Sequence, residues 1–346
     1  MSHTIWYTRC PVATASGLAF QLGMFEQEFA GSEFEVRNIK ELGKEKADTH
    51  FDHSLASSVR EGGSIPPMWA RTRGADTTMV GLTFVADSLC TYVRADSDIE
   101  RVSDLKGQRC ALPVRPYILI DFMKVNAHKG FHATLESAGL SEDDVEFVEI
   151  EINDDMHAHI NPNFKAAQGE RTESLYDPDL QALLDGRVDA IFCKNAETRF
   201  IERLYGDRIR CISDLVQAPN PAHRVNANPR IITVSSDLCR ERPEAVIRYL
   251  QVLIRAARWA SENAPAATRT LAVELGVSEA DIRGSYEHDF HTRLWPSLDA
   301  EIRGLLQVQI DFMQGHGYLG AIDIDGWMDG SFLDEAYRRE KLDGAA

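Results

Sequence analysis

The first residue that could do chemistry is a cysteine near the N-terminus. Cys10 stands at the end of a β-type run that includes TIWYT at 4–8, and it directly precedes Pro11, a residue favoured at the first position of a helix. Helical spacing of apolar residues continues over 13–29, which predicts that the thiol lies close to a helix N-terminus. Because the positive field of such a terminus stabilises a thiolate, Cys10 is the candidate nucleophile.

A histidine and an arginine farther along the chain could complete a site around that thiol. His50 lies in the segment THFDHS, where it could act as a base or a proton donor. Arg60 lies in VREGGSIPP, and Gly62 and Gly63 allow backbone N–H groups to come close to a ligand oxygen. If these residues meet in one cleft, they supply a thiol, a proton-transfer group and a cation with N–H donors for an anion.

Other candidate residues have simpler roles that the sequence leaves open. His53 could share a helical face with His50 as a metal ligand, but no third ligand is evident, so we predict no metal site. Arg115 lies where a helix is predicted to start and could contact the anion as well. The polar segment 151–176 is the best candidate for a mobile lid or an insertion. Core packing is the expected role of the other five cysteines, Cys90, Cys110, Cys193, Cys211 and Cys239.

Segments with β periodicity alternate with segments of helical periodicity along most of the chain. Such alternation is typical of parallel sheets covered by helices on both faces, so the predicted fold class is α/β. The predicted strands are 4–8, 34–39, 77–84, 88–94, the end of 103–114, 144–150, the end of 177–193, and 230–236. The predicted helices are 13–29, 54–60, 65–73, 117–138, the start of 177–193, and most of 243–313.

The charge and the motif content limit the classes of partner and cofactor. The chain has 346 residues, with 37 Lys and Arg against 54 Asp and Glu, and its net charge of −17 disfavours nucleic acid and anionic membranes as partners. It contains no CxxC pair, no GxGxxG string and no phosphate-binding loop, so neither a zinc knuckle nor a nucleotide cofactor is predicted. The expected partner is a small anionic molecule bound in a locally positive pocket.

The N-terminal sequence and the hydropathy of the chain predict the compartment. A secretory signal needs an apolar run of roughly 7–15 residues, which the first residues lack because Arg9 and Cys10 interrupt it. No other stretch approaches the ~18 apolar residues of a membrane helix. We therefore expect a cytoplasmic protein, whose reducing surroundings would keep Cys10 as a free thiol.

The order of several fragments resembles the type II periplasmic binding-protein fold, in the group that binds sulfonates, nitrate and thiamine precursors. These fragments include SDLKGQRCALP, ALLDGRVDAIF and VSSDLCRERPEAV, and the resemblance spans roughly residues 75–280. It implies two α/β lobes, each a mainly parallel sheet flanked by helices, with a ligand cleft between them. The implied layout is lobe I over 1–90 and 228–346, an inserted lobe II over 95–225, and crossing strands near 88–94 and 230–236.

A more specific resemblance involves the three candidate residues. The strings CPV at Cys10, HF at His50 and RxGGxIPP from Arg60 resemble the motifs of the sulfinate desulfinases of bacterial dibenzothiophene desulfurisation. The pattern DF..RL.P.LD also recurs at 289–299. The resemblance assigns the active-site cysteine, histidine and arginine to Cys10, His50 and Arg60, and it assigns the amide that faces the sulfinate to Gly63.

The desulfinase resemblance implies an enzyme that cleaves the carbon–sulfur bond of an organic sulfinate, with an aromatic sulfinate as the expected substrate class, and releases sulfite. It implies a monomer that needs neither a metal nor an organic cofactor. Cys10 would attack the sulfinate sulfur or protonate the carbon that carries it, Arg60 would hold the sulfinate oxygens, and His50 would control the protonation of the thiol. Two alternatives stay open at this point, a decarboxylase-type lyase on the same fold and a non-catalytic binding protein for a sulfonate-like anion.

Overall fold

A computed structural model describes residues 3–43, 46, 48–153 and 173–342, and the strands within these ranges form two five-stranded sheets. The strands are β1 His3–Arg9, β2 Phe34–Asn38, β3 Ser58–Gly62, β4 Thr77–Thr83, β5 Leu89–Arg94, β6 Arg109–Val114, β7 Glu146–Glu151, β8 Ala190–Lys194, β9 Ile209–Asp214 and β10 Arg230–Ser235. The strand order is β2-β1-β3-β10-β4 in the first sheet and β7-β6-β8-β5-β9 in the second.

Helices cover both sheets, and most of those in the last third of the chain pack on the first sheet. The helices are α1 Ala15–Gln21, α2 Met24–Phe29, α3 Thr49–Asp52, α4 Ile65–Thr72, α5 Phe122–Ser137, α6 Asp177–Leu184, α7 Glu197–Tyr205, α8 Ser236–Glu241, α9 Pro243–Glu262, α10 Ala264–Leu275, α11 Glu279–Ser285, α12 Ala300–Gly315 and α13 Ser331–Arg339. Gly139 has a φ of +73° just beyond α5, as expected for the glycine that ends a helix.

The chain passes from the first sheet to the second after β4 and returns to the first at β10. Strand β10 runs antiparallel between β3 and β4, and β5 runs antiparallel between β8 and β9. The pairs β1–β2, β1–β3, β6–β7 and β6–β8 are parallel. This arrangement confirms the predicted two-lobed α/β fold, whereas the lobe boundaries drawn from the sequence stay a prediction.

The three inner strands of the second sheet, β5, β6 and β8, are largely buried, and β8 shows that both faces are covered. Ile191 and Cys193 belong to one apolar cluster, with α6 and α7. Ala190 and Phe192 belong to a different cluster, with Phe131 of α5. Because successive side chains of a strand point to opposite faces, this division means that helices cover the sheet on both sides.

Two local predictions near the site are wrong. The segment 54–60 was predicted to be a helix, but Ser58–Gly62 forms β3, because this strand pairs with β1 on one side and β10 on the other. The helix predicted over 13–29 begins only at Ala15, where Thr14 accepts a hydrogen bond from the Gly17 N–H, and it is interrupted near Gly23. Pro11 therefore does not occupy the first helical position.

The lid predicted at 151–176 falls largely on residues 154–172, which lie outside the described residues. The HxH pair formed by His157 and His159 belongs to that part of the chain. None of the helices in the described ranges combines the length and the hydropathy needed to cross a membrane.

Candidate active site

The first sheet brings the three predicted residues to one edge. Strands β1 and β3 are parallel neighbours whose register places Thr8 opposite Arg60. Cys10 follows β1 directly, and its N–H donates to the Glu61 carbonyl at 3.1 Å. His50 lies in the short helix α3, in the connection that leads to β3. The site therefore forms at the carboxyl ends of two parallel strands, where open α/β sheets bind ligands.

The Cys10 thiol contacts both of the other predicted residues. Arg60 donates from Nη2 to Cys10 Sγ at 3.2 Å, and His50 Nε2 lies 3.7 Å from the same sulfur. The other imidazole nitrogen, His50 Nδ1, lies 2.8 Å from Thr8 Oγ1, which orients the ring. A thiol, an imidazole and a guanidinium in direct contact form a set that can ionise the thiol and hold an anion beside it.

Arg60 is a buried cation with donor capacity left for a ligand. Only 3% of its surface is exposed, and Nη1 donates to the Gly63 carbonyl at 3.2 Å. Arg60 Nε is also buried and has no hydrogen-bond partner within the described part of the chain. Burial lowers the pKa of Arg60, and the neighbouring Cys10 sulfur opposes that shift. The absence of a partner carboxylate among these contacts leaves the guanidinium suited to an incoming anion.

The two glycines after Arg60 have different roles. A Cβ atom built on Gly62 would lie 2.4 Å from Cys10 Sγ, so only glycine lets the strand end pass this close to the thiol. Gly63 borders the cavity described next, and a Cβ atom there would lie 3.4 Å from Ala227. Of the two predicted substrate-binding glycines, Gly63 lines the cavity, whereas Gly62 makes room for the thiol.

A cavity of about 120 Å³ lies beside Cys10, His50 and Arg60 and is lined from both halves of the fold. The ring of Phe51, next to His50, stacks on the ring of Phe122 from α5, with centroids 5.8 Å apart and planes 18° from parallel. Apolar and aromatic side chains thus line part of the cavity next to the reactive side chains. This is the arrangement expected of a site for an organic anion.

Several charged residues that line the cavity were not predicted from the sequence. Lys194, at the end of β8, donates from Nζ to the Asn226 carbonyl, and burial lowers its pKa. Arg230, at the start of β10, forms a buried ion pair with Asp87 at 3.1 Å. A charged residue that ends an apolar strand run, as in AIFCK, is the signal that could have identified Lys194.

Two other predicted residues lie elsewhere. Arg115 is buried at the end of β6, where its N–H donates to Asp121 Oδ2 at 2.6 Å, and it is not among the described residues that line the cavity. Its proposed contact with the anion stays a prediction. His53, the rival of His50, borders a separate surface cavity, and its Nδ1 lies 3.1 Å from the Phe51 carbonyl. Burial, together with the Arg60 charge, lowers the pKa of His53 to about 3, so this imidazole is neutral at pH 7.

All six cysteines lie in the described ranges, and Cys10 alone among them lines the cavity. Burial raises the pKa of Cys110 to about 12 and the pKa of Cys239 to about 11. Cys90 and Cys193 are completely buried in the second lobe. These environments suppress thiolate formation at the buried cysteines.

The sequence is similar to curated proteins named 2'-hydroxybiphenyl-2-sulfinate desulfinase. Those from Rhodococcus erythropolis and Rhodococcus qingshengii are each 27% identical over 368 aligned positions, which cover 98% of this chain and 94% of the relative. These matches confirm the resemblance that the motifs around the three site residues predicted.

Solved structures agree on the fold. A cysteine-to-serine mutant of DszB in complex with biphenyl-2-sulfinic acid superposes with a TM-score of 0.74 at 24% identity, covering 98% of this chain and 100% of that chain. The sulfonate-binding protein SsuA of Methylobacillus flagellatus KT superposes with a TM-score of 0.68 at 17% identity, covering 99% and 96%. A family model described as NMT1/THI5 like matches residues 65–267. Since this span exceeds half of the 346 residues, the chain belongs to the NMT1/THI5-like family.

Proposed function

We propose that the protein is a desulfinase that cleaves the carbon–sulfur bond of an aromatic sulfinate and releases sulfite. The observation that carries the proposal is the contact of Cys10 Sγ with Arg60 Nη2 at 3.2 Å and with His50 Nε2 at 3.7 Å, beside a cavity that apolar and aromatic side chains line in part. Similarity to desulfinases over 98% of the chain supports the same reaction. The chemistry requires only side chains and water.

The cavity supports an aromatic sulfinate as the substrate class. Its volume of about 120 Å³ is of the same order as apolar cavities of about 150 Å³ that hold benzene. The sulfinate oxygens would accept hydrogen bonds from Arg60, beside the Gly63 amide, while the ring packs against Phe51 and Phe122. In this pose the substrate's carbon–sulfur bond lies next to Cys10, as either chemical route requires.

In the first route the Cys10 thiolate acts as a nucleophile. It attacks the sulfinate sulfur, the carbon–sulfur bond breaks, and the departing carbon takes a proton, for which His50 is the donor. The intermediate is a Cys–S–SO₂⁻ group held by Arg60. Water then cleaves its sulfur–sulfur bond, which yields bisulfite and restores the thiol. The overall reaction is a hydrolysis.

In the second route Cys10 acts as an acid. The thiol delivers its proton to the carbon that carries the sulfur, and the carbon–sulfur bond breaks so that sulfur dioxide leaves. Water adds to sulfur dioxide to give bisulfite and a proton. The thiolate, stabilised by the Arg60 contact, regains a proton through His50. Both routes place the same three side chains around the same bond.

We also infer that the enzyme works as a monomer in the cytoplasm. The six cysteines are free thiols, which suits a reducing compartment. The lobe boundaries belong to this proposal, with lobe I over 1–90 and 228–346 and lobe II over 95–225. The membership of the strands in the two sheets supports that division.

Sulfite release from biphenyl-2-sulfinate and from benzenesulfinate tests the reaction. We expect the wild-type protein to release one sulfite per sulfinate consumed, and we expect Cys10→Ser to lose about 10³-fold or more in rate. Cys239→Ser, which changes a partly buried thiol of α8, is the matched control and should keep the wild-type rate. If the wild-type protein releases no sulfite from either compound, the proposal is wrong. Full activity of Cys10→Ser would keep the reaction but remove the role of the thiol.

The second candidate function is binding of a sulfonate-like anion without turnover. The observation in its favour is the set of buried cations, Arg60, Lys194 and Arg230, that line one cavity. Calorimetric titration with biphenyl-2-sulfonate, which resists this cleavage, separates the two functions when it is compared with sulfite release. Tight binding of both sulfinate and sulfonate with no sulfite release would favour the binding protein.

A further inference from the structure

Three side chains from separate elements converge at a second place in the fold. His128 lies on α5, Glu142 opens a short 3₁₀ helix over Glu142–Asp144, and His316 directly follows α12. Glu142 Oε2 lies 3.3 Å from His128 Nε2 and 3.1 Å from His316 Nε2. One ligand atom from each residue lies within 4.8 Å of the other two. The desulfinase chemistry uses none of these groups.

The separations match the edges of a metal coordination tetrahedron. Zinc binds imidazole nitrogen and carboxylate oxygen at 2.0–2.1 Å in four-coordinate sites, so two ligands of one ion lie about 3.3–3.4 Å apart. The two measured separations of 3.3 and 3.1 Å are close to that edge length. An ion could therefore take a place between the three atoms after small side-chain movements.

Hydrogen bonds behind the three side chains orient their remaining ligand atoms towards one another. His316 Nδ1 lies 2.8 Å from the Phe312 carbonyl, and because a carbonyl can only accept, Nδ1 carries a ring hydrogen and Nε2 is the atom that faces Glu142 Oε2. His128 Nδ1 lies 2.8 Å from the Tyr318 hydroxyl. Histidine ligands of metals are held in this manner through their other nitrogen.

Glu142 is held by a hydrogen bond behind it as well, and one buried nitrogen faces it at ion-pair distance without a well-aligned hydrogen bond. Glu142 Oε1 lies 2.8 Å from His132 Nδ1, which leaves Oε2 to face His128 and His316. His128 Nε2 is buried, and no atom of the described residues forms a hydrogen bond of good geometry with it. A buried nitrogen lone pair opposite a carboxylate oxygen is unfavourable unless a proton or a cation lies between them.

We propose that His128, Glu142 and His316 bind one divalent zinc ion, with water as the fourth ligand. Two imidazole nitrogens and one carboxylate oxygen form a donor set that zinc accepts in three-ligand sites. The sequence predicted no metal site, because Glu142 and His316 are 174 residues apart and neither belongs to a spaced ligand motif. Only the fold brings the three residues together.

The ion would connect the two lobes. His128 and Glu142 belong to the part of the chain that forms the second sheet, whereas α12 packs against β4 of the first sheet in a shared apolar cluster. The first turns of α5 also supply Phe122, Met123 and Asn126 to the wall of the cavity. A zinc ion at this position would therefore hold the cavity wall at a fixed distance from the first lobe.

Zinc and cobalt titrations of the full chain test the site. The parent protein carries Cys10→Ser, so that the reactive thiol cannot bind the metal, and it is stripped with a chelator beforehand. We expect one Zn²⁺ per chain with a dissociation constant of about 1 μM or lower. We expect Co²⁺ at the same site to give the intense visible absorption of a four-coordinate ion.

Variants of the ligands and their supporting residues decide the assignment. In the same background, His316→Ala and Glu142→Gln should weaken zinc binding about 100-fold or more, and Tyr318→Phe about 10-fold. His288→Ala, at an exposed histidine, is the matched control and should bind zinc like the parent.

Saturating zinc should raise the unfolding temperature of the parent but not that of Glu142→Gln. The proposal is overturned if the parent binds less than one zinc at about 10 μM, or if Glu142→Gln keeps the parent affinity. These outcomes do not depend on the desulfinase activity.

Discussion

Arg60 makes two contacts that a lysine could not make together. Its Nη2 donates to Cys10 Sγ and its Nη1 donates to the Gly63 carbonyl, each at 3.2 Å. Lysine has one ammonium group on a flexible stem, so Arg60→Lys keeps the charge but loses the fixed fork. We expect kcat/KM for sulfite release to fall about 10²-fold or more. Arg101→Lys, at an exposed arginine, should leave kcat/KM unchanged, and equal activity of both variants would show that the fork is not needed.

The two glycines give a matched pair of substitutions. Gly62→Ala would place a Cβ atom 2.4 Å from Cys10 Sγ and displace the thiol from Arg60, so we expect kcat to fall about 10²-fold. Gly63→Ala keeps the backbone N–H and meets Ala227 only at 3.4 Å, so we expect its rate to remain within about 10-fold of wild type. Steady-state sulfite assays on both proteins, with circular dichroism to verify folding, make the comparison. If Gly63→Ala loses more activity than Gly62→Ala, Gly62 is not the glycine whose close approach to the thiol matters.

At the residue scale, the sequence located the reactive groups but not the charges around them. Cys10, His50 and Arg60 stand in short motifs, and the parallel pairing of β1 with β3 brings two of them together. Lys194 and Arg230 belong to no motif and come from strands of different sheets. Their convergence on the cavity depends on the packing of the lobes, which residue spacing does not encode.

At the scale of elements, β3 carries a buried carboxyl group next to the site. Glu61 is fully buried, and it accepts hydrogen bonds from the Ser16 N–H at 2.9 Å and from the Thr83 hydroxyl at 3.4 Å. It thereby connects β3 to the first turn of α1. Burial raises the pKa of Glu61 above its ordinary value of 4.5, so the folded chain keeps this proton to a higher pH than the unfolded chain.

This difference in proton binding predicts a pH-dependent effect of Glu61→Gln. Below pH 4.5 Glu61 is protonated in both the folded and the unfolded wild-type chain. Between pH 4.5 and the raised pKa, only the folded chain keeps the proton. The stabilisation from Glu61 therefore declines as the pH rises towards the folded-state pKa. Glu61→Gln has no proton to lose, so its unfolding temperature relative to wild type should rise by a few degrees between about pH 4 and pH 8.

An exposed carboxylate with the opposite shift provides the control for that series. Arg338 and Arg339 lower the pKa of Glu335 to about 2, so the folded chain holds this group ionised at lower pH than the unfolded chain does. Glu335→Gln should therefore change the unfolding temperature in the opposite direction, and by less, because the group is exposed. A pH-independent difference between Glu61→Gln and wild type would contradict the raised pKa of Glu61.

Element prediction failed where tertiary pairing outweighed local pattern. The run before Gly62 contains Ser, Arg and Glu, and nothing in its spacing demands a strand. It becomes one because β1 and β10 flank it, and Val59, Arg60 and Glu61 are buried as a result. In contrast, β6 and β8 are apolar runs bounded by turn residues such as Gly107 and Gly186, and both were predicted within a few residues.

At the scale of the whole molecule, the order of the elements was the informative signal. Each fragment that resembles the binding-protein fold is weak alone, but their sequence along the chain fixes which strands share a sheet. The two places where the chain changes sheets, after β4 and before β10, both lie beside the cavity, at Asp87 and at Arg230. The connection between lobes is therefore also part of the site.

The ion pair at this connection should be important for the stability of the whole fold. Asp87 and Arg230 are 1% and 2% exposed, and their side chains lie 3.1 Å apart. Asp87→Ala would leave the buried Arg230 guanidinium without its counter-charge and would also remove a negative charge that acts on the buried Lys194. Loss of one partner of a buried pair costs about 3–5 kcal/mol, so we expect a decrease of that size in the free energy of unfolding.

Urea denaturation can separate this effect from the loss of an ordinary salt bridge. Asp96→Ala breaks the exposed pair between Arg94 and Asp96 and should leave the midpoint nearly unchanged. The double variant Asp87→Leu with Arg230→Met removes both charges from the same volume, so it should recover most of the stability lost in Asp87→Ala. On this view Asp87→Ala loses stability because the buried Arg230 cation is left unpaired, and not because its attraction to Asp87 is lost. A double variant that is no more stable than Asp87→Ala would contradict this explanation. A recovery in stability without a recovery in sulfite release would then show that the buried charges are kept at this connection for the site and not for the fold.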